Sequence, residues 1–182
     1  MPDSDTLPQE LDMSEPRDVA WVKDRNDPEI WHQAAIATIA YLGDKHGFLP
    51  WLVQQPAMDR ATAAWLLLNY EAPRYLRGED YSFWARIHDD DVRSLFNALC
   101  DRSERMGFSK DDLGLPPAIE PQRQACLDVH AKGEVAAGMT FPFAVLDKPF
   151  KAPRLDTSYQ VHDGILVSSA FLRSELAHIL DD

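Results

Sequence analysis

The sequence lacks most of the short motifs that identify an enzyme or a metal site. Its eight glycines are scattered, and none of the spacings that cradle a phosphate occurs. The G-x-S-x-G and H-E-x-x-H motifs are also absent. The two cysteines, Cys100 and Cys126, form no CxxC pair or Cys/His cluster, so no zinc site is indicated. We expect no cofactor, and we expect Cys100 to be a buried free thiol, because it lies on the apolar side of a predicted helix.

Long apolar runs are absent too, since none approaches the roughly 18 residues that span a bilayer. The N-terminal stretch MPDSDTLPQELDMSEPRD is acidic and has no basic segment followed by an apolar one. It is therefore not predicted to be a secretory signal. These features predict a cytoplasmic protein with no membrane partner.

Basic residues are scarce: 18 Lys and Arg face 30 Asp and Glu, which gives a formal net charge of −12. Residues 1–27 and residues 111–182 each contribute −5, whereas residues 28–110 contribute −2. A negative surface repels phosphate backbones, so nucleic-acid binding is disfavoured. It attracts basic proteins, although acidity also serves solubility alone.

Apolar residues make up 45% of the chain, which is enough to form a core. We predict a mainly α fold: a compact helical bundle with a loop-rich C-terminal part that contains a small β-hairpin and a final helix. The predicted organisation is a flexible acidic N-terminal arm over residues 1–27, a helical core over residues 28–107, and a loop-rich extension over residues 108–182 that packs on the core.

The helical core has clear start and stop signals. A first helix is predicted from Pro28 to Gly43, with Asp27 accepting hydrogen bonds from its first turn. A short helix over residues 49–55 should follow. A third, over residues 60–70, has so few polar positions that it must be buried nearly all round. We interpret Asp59 as the cap of this third helix, in preference to part of a ligand site.

Later segments give weaker signals. The segment EDYSFWARIHDDDVRSLFNALCDRSERMG predicts either one long helix or two helices that break near His88. The acids from Asp89 to Asp91 favour two helices, because acids suit the positive end of a helix dipole, and Gly107 should end the second one. A helix is predicted over residues 121–131, and a short strand is predicted near Phe143. The Asp163-Gly164 pair lies between two β-type runs and predicts a hairpin turn. The final helix should be capped by Ser168 or Ser169, with three apolar side chains facing inward: Leu172, Leu176 and Ile179.

Two polar segments contain residue types that could support a binding or catalytic site. Asp89, Asp90 and Asp91 follow His88, but consecutive helical residues point about 100° apart and cannot all converge on one cation. A solvated helix start is favoured there. Further, the six histidines show no i, i+3 or i, i+4 spacing, which gives no indication of a helical metal site.

The second segment is EAPRYLRGEDYSFWAR, in which arginines alternate with aromatic residues. Such a pattern is compatible with stacking on bases or with a protein–protein hot spot. Acids lie beside the arginines, so local salt bridges are favoured over nucleic-acid binding.

The stretch FLPWLVQQPAMDRATAAWLLLNY resembles the core of an uncharacterised bacterial family, a domain of unknown function. The residues that carry the resemblance are Trp51, Gln55, Pro56, Asp59, Thr62 and Ala63. The upstream WHQAAI also fits, so that residues 28–85 are covered. The sequence departs from the family's pattern at Met58 and at Asn69-Tyr70. The resemblance implies a small helical fold and no catalytic residues.

Three functions remain open from the sequence. The favoured one is an acidic protein-binding module, most concretely an immunity protein that neutralises a cognate bacterial toxin, for example a nuclease. An adaptor or secretion chaperone is the alternative, and an enzyme with dispersed catalytic residues ranks last. The predicted contact residues are the exposed acids of two clusters: Asp89, Asp90 and Asp91, and Asp111 and Asp112. The oligomeric state is left open.

Overall fold

The computed structural model describes residues 7–40, 43–69, 71–79 and 89–180. The fold is mainly α, as predicted. Within the described residues the α-helices are α1 Pro16–Asp24, α2 Pro28–Ala40, α3 Phe48–Val53, α4 Arg60–Leu68, α5 Ala72–Leu76, α6 Asp89–Arg105, α7 Glu120–Ala131, α8 Phe143–Leu146 and α9 Ser169–Leu180. In the same part of the chain, no helix is long and apolar enough to cross a membrane.

Three strands form one antiparallel sheet: β1 Glu10–Asp12, β2 Tyr159–His162 and β3 Ile165–Ser168. Their order is β1-β3-β2, so the central strand pairs with both others. Leu166 of β3 lies opposite Leu11 on one side and Val161 on the other. This pairing joins the N-terminal end of the chain to its C-terminal end.

The predicted hairpin is confirmed between β2 and β3. Asp163 has a φ of 49° and Gly164 a φ of 82°. Two consecutive residues with positive φ are typical of a type I′ turn, whose twist matches that of the flanking strands.

The chain divides into two compact units, one of which is assembled from both ends. Unit 1 contains Met1–Phe48 and Leu155–Asp182, and unit 2 contains Leu49–Arg154. These boundaries differ from the predicted division into residues 1–27, 28–107 and 108–182. The segment that was predicted to be a flexible arm instead contains β1 and α1. Its signals are too short to recognise locally, because β1 has three residues and pairs with a strand more than 150 residues away.

Unit 1 packs α1, α2 and the sheet around large aromatic side chains. The Trp31 indole is buried and donates a hydrogen bond to the Val22 carbonyl oxygen at 3.0 Å. Tyr159 is also buried, and its hydroxyl donates to the Pro8 carbonyl oxygen at 2.9 Å. The predicted start of α2 is confirmed, since the Asp27 carboxylate accepts a hydrogen bond from the Glu29 amide.

Unit 2 is centred on α4, which is buried nearly all round as predicted. Every residue from Arg60 to Leu68 is buried except Trp65, which is partly exposed. The helix contacts α6 and α8, and α5 contacts α7. The predicted helices over residues 121–131 and up to Gly107 are also present, with Gly107 at a φ of 62°.

The predicted strand near Phe143 is wrong, because this segment forms the short helix α8. Val145 and Leu146 of α8 are fully buried against α4 and α6. Tertiary packing therefore overrides the β preference of the Phe and Val residues. The helical signal over residues 80–88 lies outside the described residues, as do His88 and the side chains of Leu176 and Ile179.

Candidate functional site

Asp59 caps α4 as predicted, and it also anchors a distant loop. Its Oδ1 accepts a hydrogen bond from the Ala61 amide at 2.8 Å. Its Oδ2 accepts from the amides of Asp112 at 2.8 Å and Leu113 at 3.2 Å. A carboxylate that is 1% exposed needs such partners, because an unpaired buried charge is costly. This residue is therefore explained by structure, without a ligand.

Arg60 completes the same junction, and its role was not predicted. The side chain is 3% exposed, and its guanidinium lies 4.1 Å from the centroid of the Phe150 ring. It donates hydrogen bonds of 2.8–3.0 Å to three carbonyl oxygens in α8 and in the chain that follows it, namely those of Val145, Lys148 and Pro149. We call Asp59 and Arg60, with the loops that they hold, the Asp-Arg junction.

Asp111, one of the predicted contact residues, belongs to this junction. Its carboxylate lies 2.9 Å from the Arg60 Nε and 2.8 Å from the Lys148 Nζ. Burial alone would raise the pKa of Asp111, but hydrogen bonds from Lys148 and Arg60 outweigh it and hold the pKa below its ordinary value. A partner would have to compete with these two cations for the carboxylate.

Asp112 is placed differently from its neighbour. Its side chain is 72% exposed and lies 4.0 Å from the Lys151 Nζ, a distance at which an exposed pair contributes little. Asp89, Asp90 and Asp91 begin α6, but their carboxylates lie outside the described residues. The structure therefore leaves Asp112 as the predicted contact acid that is seen to be open to solvent.

Unit 2 contains a groove of about 530 Å³. We call it the aromatic groove. It lies between the last turn of α6 and the segment that leads into α8, and its described lining consists of Ser103, Glu104, Met139, Thr140, Phe141, Phe143 and Ala144. The Ala144 amide donates to the Ser103 Oγ at 2.9 Å, which fixes α8 against α6.

Three rings pack together at this groove. The His130 ring centroid lies 4.5 Å from that of Phe141 and 4.7 Å from that of Phe143. The two phenylalanine centroids are 4.7 Å apart, in an edge-to-face arrangement. Phe141 is 9% exposed and anchors the group, whereas Phe143 is 51% exposed. A half-exposed ring on a rigid support is typical of a binding surface.

Glu104 is the charged residue among the described residues that line the groove. It is exposed and forms no ion pair with any described residue. Its neighbour Arg105 instead lies 3.5 Å from Asp101. Glu104 also lies in the last turn of α6, where the helix dipole disfavours a negative charge. Its carboxylate is therefore available to an external cation.

The sequence did not predict this groove because its lining comes from two segments that lie about 35 positions apart, around Glu104 and around Met139. The signal that was available is the stretch TFPF, in which Pro142 separates two phenylalanines. A proline at this place argues against a regular strand, and it could have identified an irregular segment with one exposed ring.

The alternating basic and aromatic segment forms local ion pairs, as predicted. Arg74 lies 3.2 Å from Glu71 and 3.5 Å from Glu79, and Arg77 lies 3.0 Å from Glu134. Its remaining residues, from Asp80 to Arg86, lie outside the described residues.

The two thiols are free and buried, as predicted for Cys100. Burial, with a contribution from the negative charge of Asp101, raises the pKa of Cys100 to about 12. Burial likewise raises the pKa of Cys126 to about 12. Thiols with such pKa values are protonated at neutral pH and are poor nucleophiles. Elsewhere in the described part of the chain, no group of three or more His, Cys, Asp or Glu could hold a metal ion.

No family model matches the chain, and no curated protein or solved structure is significantly similar to it. The relationship of residues 28–85 to a bacterial domain of unknown function therefore stays a prediction.

Proposed function

We propose that this chain is an acidic protein-binding module, and most concretely a cytoplasmic immunity protein that neutralises a cognate bacterial toxin by direct binding. The observation that carries the proposal is the division of charge between the two units. Unit 1 has 15 acids and 5 bases, a net charge of −10, whereas unit 2 has 15 acids and 13 bases, a net charge of −2. Nearly all of the excess negative charge thus belongs to unit 1.

The fold concentrates charge that the sequence distributes between its two ends. Because β1 pairs with β3, the acidic N-terminal and C-terminal segments belong to one compact unit. Their mutual repulsion destabilises that unit, so the arrangement has a cost in folding free energy. A surface of this kind favours a basic partner and speeds its association. A nuclease fits this description, because its substrate groove must attract phosphates.

Much of this charge is also uncompensated locally. Five exposed acids of unit 1 form no ion pair with any residue that the structure describes, namely Glu10, Glu15, Asp24, Asp163 and Glu175. Exposed carboxylates without partners stay available to cations from outside the chain. They support a binding surface on unit 1 in preference to the predicted acids of unit 2.

The proposal is tested by co-expression with the product of the adjacent reading frame. If that product is toxic, we expect the chain to restore growth and to co-purify with it. A test variant has Glu10, Asp24 and Asp163 replaced by the corresponding amides. This variant should restore growth less well than the wild-type chain. Failure of the wild-type chain both to rescue growth and to bind the neighbouring product would reject the proposal.

A further inference from the structure

We propose that the aromatic groove of unit 2 accepts an arginine side chain, together with a flanking apolar residue, from a basic partner protein. The inference rests on the proposed function in one respect, that the partner is a protein with excess positive charge. It assigns a binding role to residues that the charge of unit 1 does not involve.

Charge complementarity is the first argument for a cation. Among the described lining residues Glu104 carries the single formal charge, and no described cation pairs with it. Covering the groove with a purely apolar group would desolvate this carboxylate without compensation, which is costly. An occupant must therefore bring a positive charge or a hydrogen-bond donor to Glu104.

The second argument is the exposed ring of Phe143. This side chain is 51% exposed and lies in edge-to-face contact with both Phe141 and His130, so part of the ring is packed and the rest is open to a partner. A flat cation above such a ring gains from the negative face of its π system. The occupant should therefore combine positive charge with a flat surface.

Arginine meets both requirements better than lysine does. Its planar guanidinium stacks on aromatic rings and presents paired donors to a carboxylate, whereas the lysine ammonium is a strongly hydrated point charge. The groove volume of about 530 Å³ lies within the range of about 300–1,000 Å³ that is usual for specific ligand sites. Met139 and Ala144 supply apolar lining for the residue beside the arginine.

The test uses the full chain and three blocked peptides that differ at one position. The probes are Ala-Leu-Arg-Leu-Ala and the same peptide with lysine or citrulline in place of arginine. Citrulline keeps the planar shape but carries no charge. In an NMR titration we expect saturable shifts concentrated on Thr140, Phe141 and Phe143. The arginine peptide should bind about five-fold more tightly than the citrulline peptide, which is typical of one partly exposed ion pair.

Two variants test whether the preference for the arginine peptide arises in the groove. Glu104→Gln should bring the ratio of the arginine and citrulline affinities close to one. Phe143→Ala should weaken all three peptides and remove the preference for arginine over lysine. The matched control is Asp128→Asn, an exposed acid of unit 2 outside the groove lining, which should leave every affinity unchanged. Circular dichroism checks that each variant is folded.

Several outcomes would overturn the inference. Equal binding of the arginine and citrulline peptides would do so, as would an unchanged preference in Glu104→Gln or shifts scattered away from the groove. If the groove signals change on simple dilution and Phe143→Ala abolishes that change, the occupant is a second copy of this chain. If the chain fails to restore growth in the co-expression test but still prefers the arginine peptide, the toxin partner is rejected and the groove assignment stands. If the chain restores growth but binds the arginine and citrulline peptides equally, the groove assignment is rejected and the proposed toxin partner stands.

Discussion

At the residue scale, Arg60 stands out because it combines burial, charge and several long-range contacts. A buried guanidinium is stable when its donors all have partners, and Arg60 reaches three carbonyl oxygens and one carboxylate. All four partners lie between 51 and 89 positions further along the chain. The sequence showed an Asp-Arg pair at the start of a helix, which predicts a cap for Asp59 but contains no sign of the partners of Arg60.

Replacement of Arg60 by Met should lower the free energy of unfolding by about 3 kcal/mol or more, because buried acceptors would lose their donors. Arg60→Lys should recover only part of the loss, since one ammonium cannot reach all of the acceptors. Arg105→Met, at a side chain that is 74% exposed, should change stability by about 0.5 kcal/mol or less. Denaturant unfolding provides the values. A loss below 1 kcal/mol in Arg60→Met would contradict the role of the junction.

His32 predicts a pH dependence of stability. The side chain is 7% exposed, and burial lowers its pKa to about 4 from an ordinary value near 6.5. Between these two pKa values the unfolded chain binds a proton that the folded chain does not. The contribution of His32 is therefore fully present above pH 6.5 and is lost as the pH falls toward 4.

Between pH 7 and pH 5 the wild-type chain should lose about 2 kcal/mol more of its unfolding free energy than His32→Gln does. The same comparison with His162→Gln, at an exposed histidine, should show no such difference. Denaturant unfolding at the two pH values measures both. Parallel pH profiles for the wild type and His32→Gln would show that His32 is not protonated differently on unfolding.

At the element scale, the sequence predicted correctly those features that depend on residues close to one another in the chain. The start of α2 at Asp27-Pro28 and the hairpin at Asp163-Gly164 both depend on residues within one turn. Elements that depend on distant partners were missed. β1 exists through its pairing with β3, and α8 is helical because Val145 and Leu146 are buried against other helices.

The loop contact at Gly114 gives a prediction at this scale. A Cβ at this position would collide with the carbonyl oxygen of Ala152, and the neighbouring Leu115 amide donates to the Lys151 carbonyl oxygen at 3.0 Å. Gly114→Ala must therefore push two backbone segments apart, and should lower stability by about 3 kcal/mol. Gly133 has a φ of 68° with open space around it, so that Gly133→Ala should cost only about 1 kcal/mol. Equal losses in thermal or denaturant unfolding would contradict the close approach.

At the scale of the whole molecule, the sequence predicted acidity at both ends but not its assembly in one unit. A pairing between residues more than 150 positions apart leaves no periodic pattern that a local analysis can detect. For the same reason the predicted contact acids fell in unit 2, whose net charge is only −2. The aromatic groove also went unpredicted, because its lining combines the last turn of α6 with the segment from Met139 into α8, which is distant in the sequence.

The central claim, that the charge of unit 1 recognises a basic partner, is tested most directly by association kinetics. The quantity is the association rate constant of this chain with the product of the adjacent reading frame, measured at low and at physiological salt. At low salt, neutralising Glu10, Asp24 and Asp163 should lower this constant about three- to ten-fold, and added salt should reduce the difference. Neutralising three exposed acids of unit 2, namely Asp101, Asp112 and Asp128, should change it less than about two-fold. Equal effects of the two sets, or a rate constant that does not depend on salt, would contradict the account.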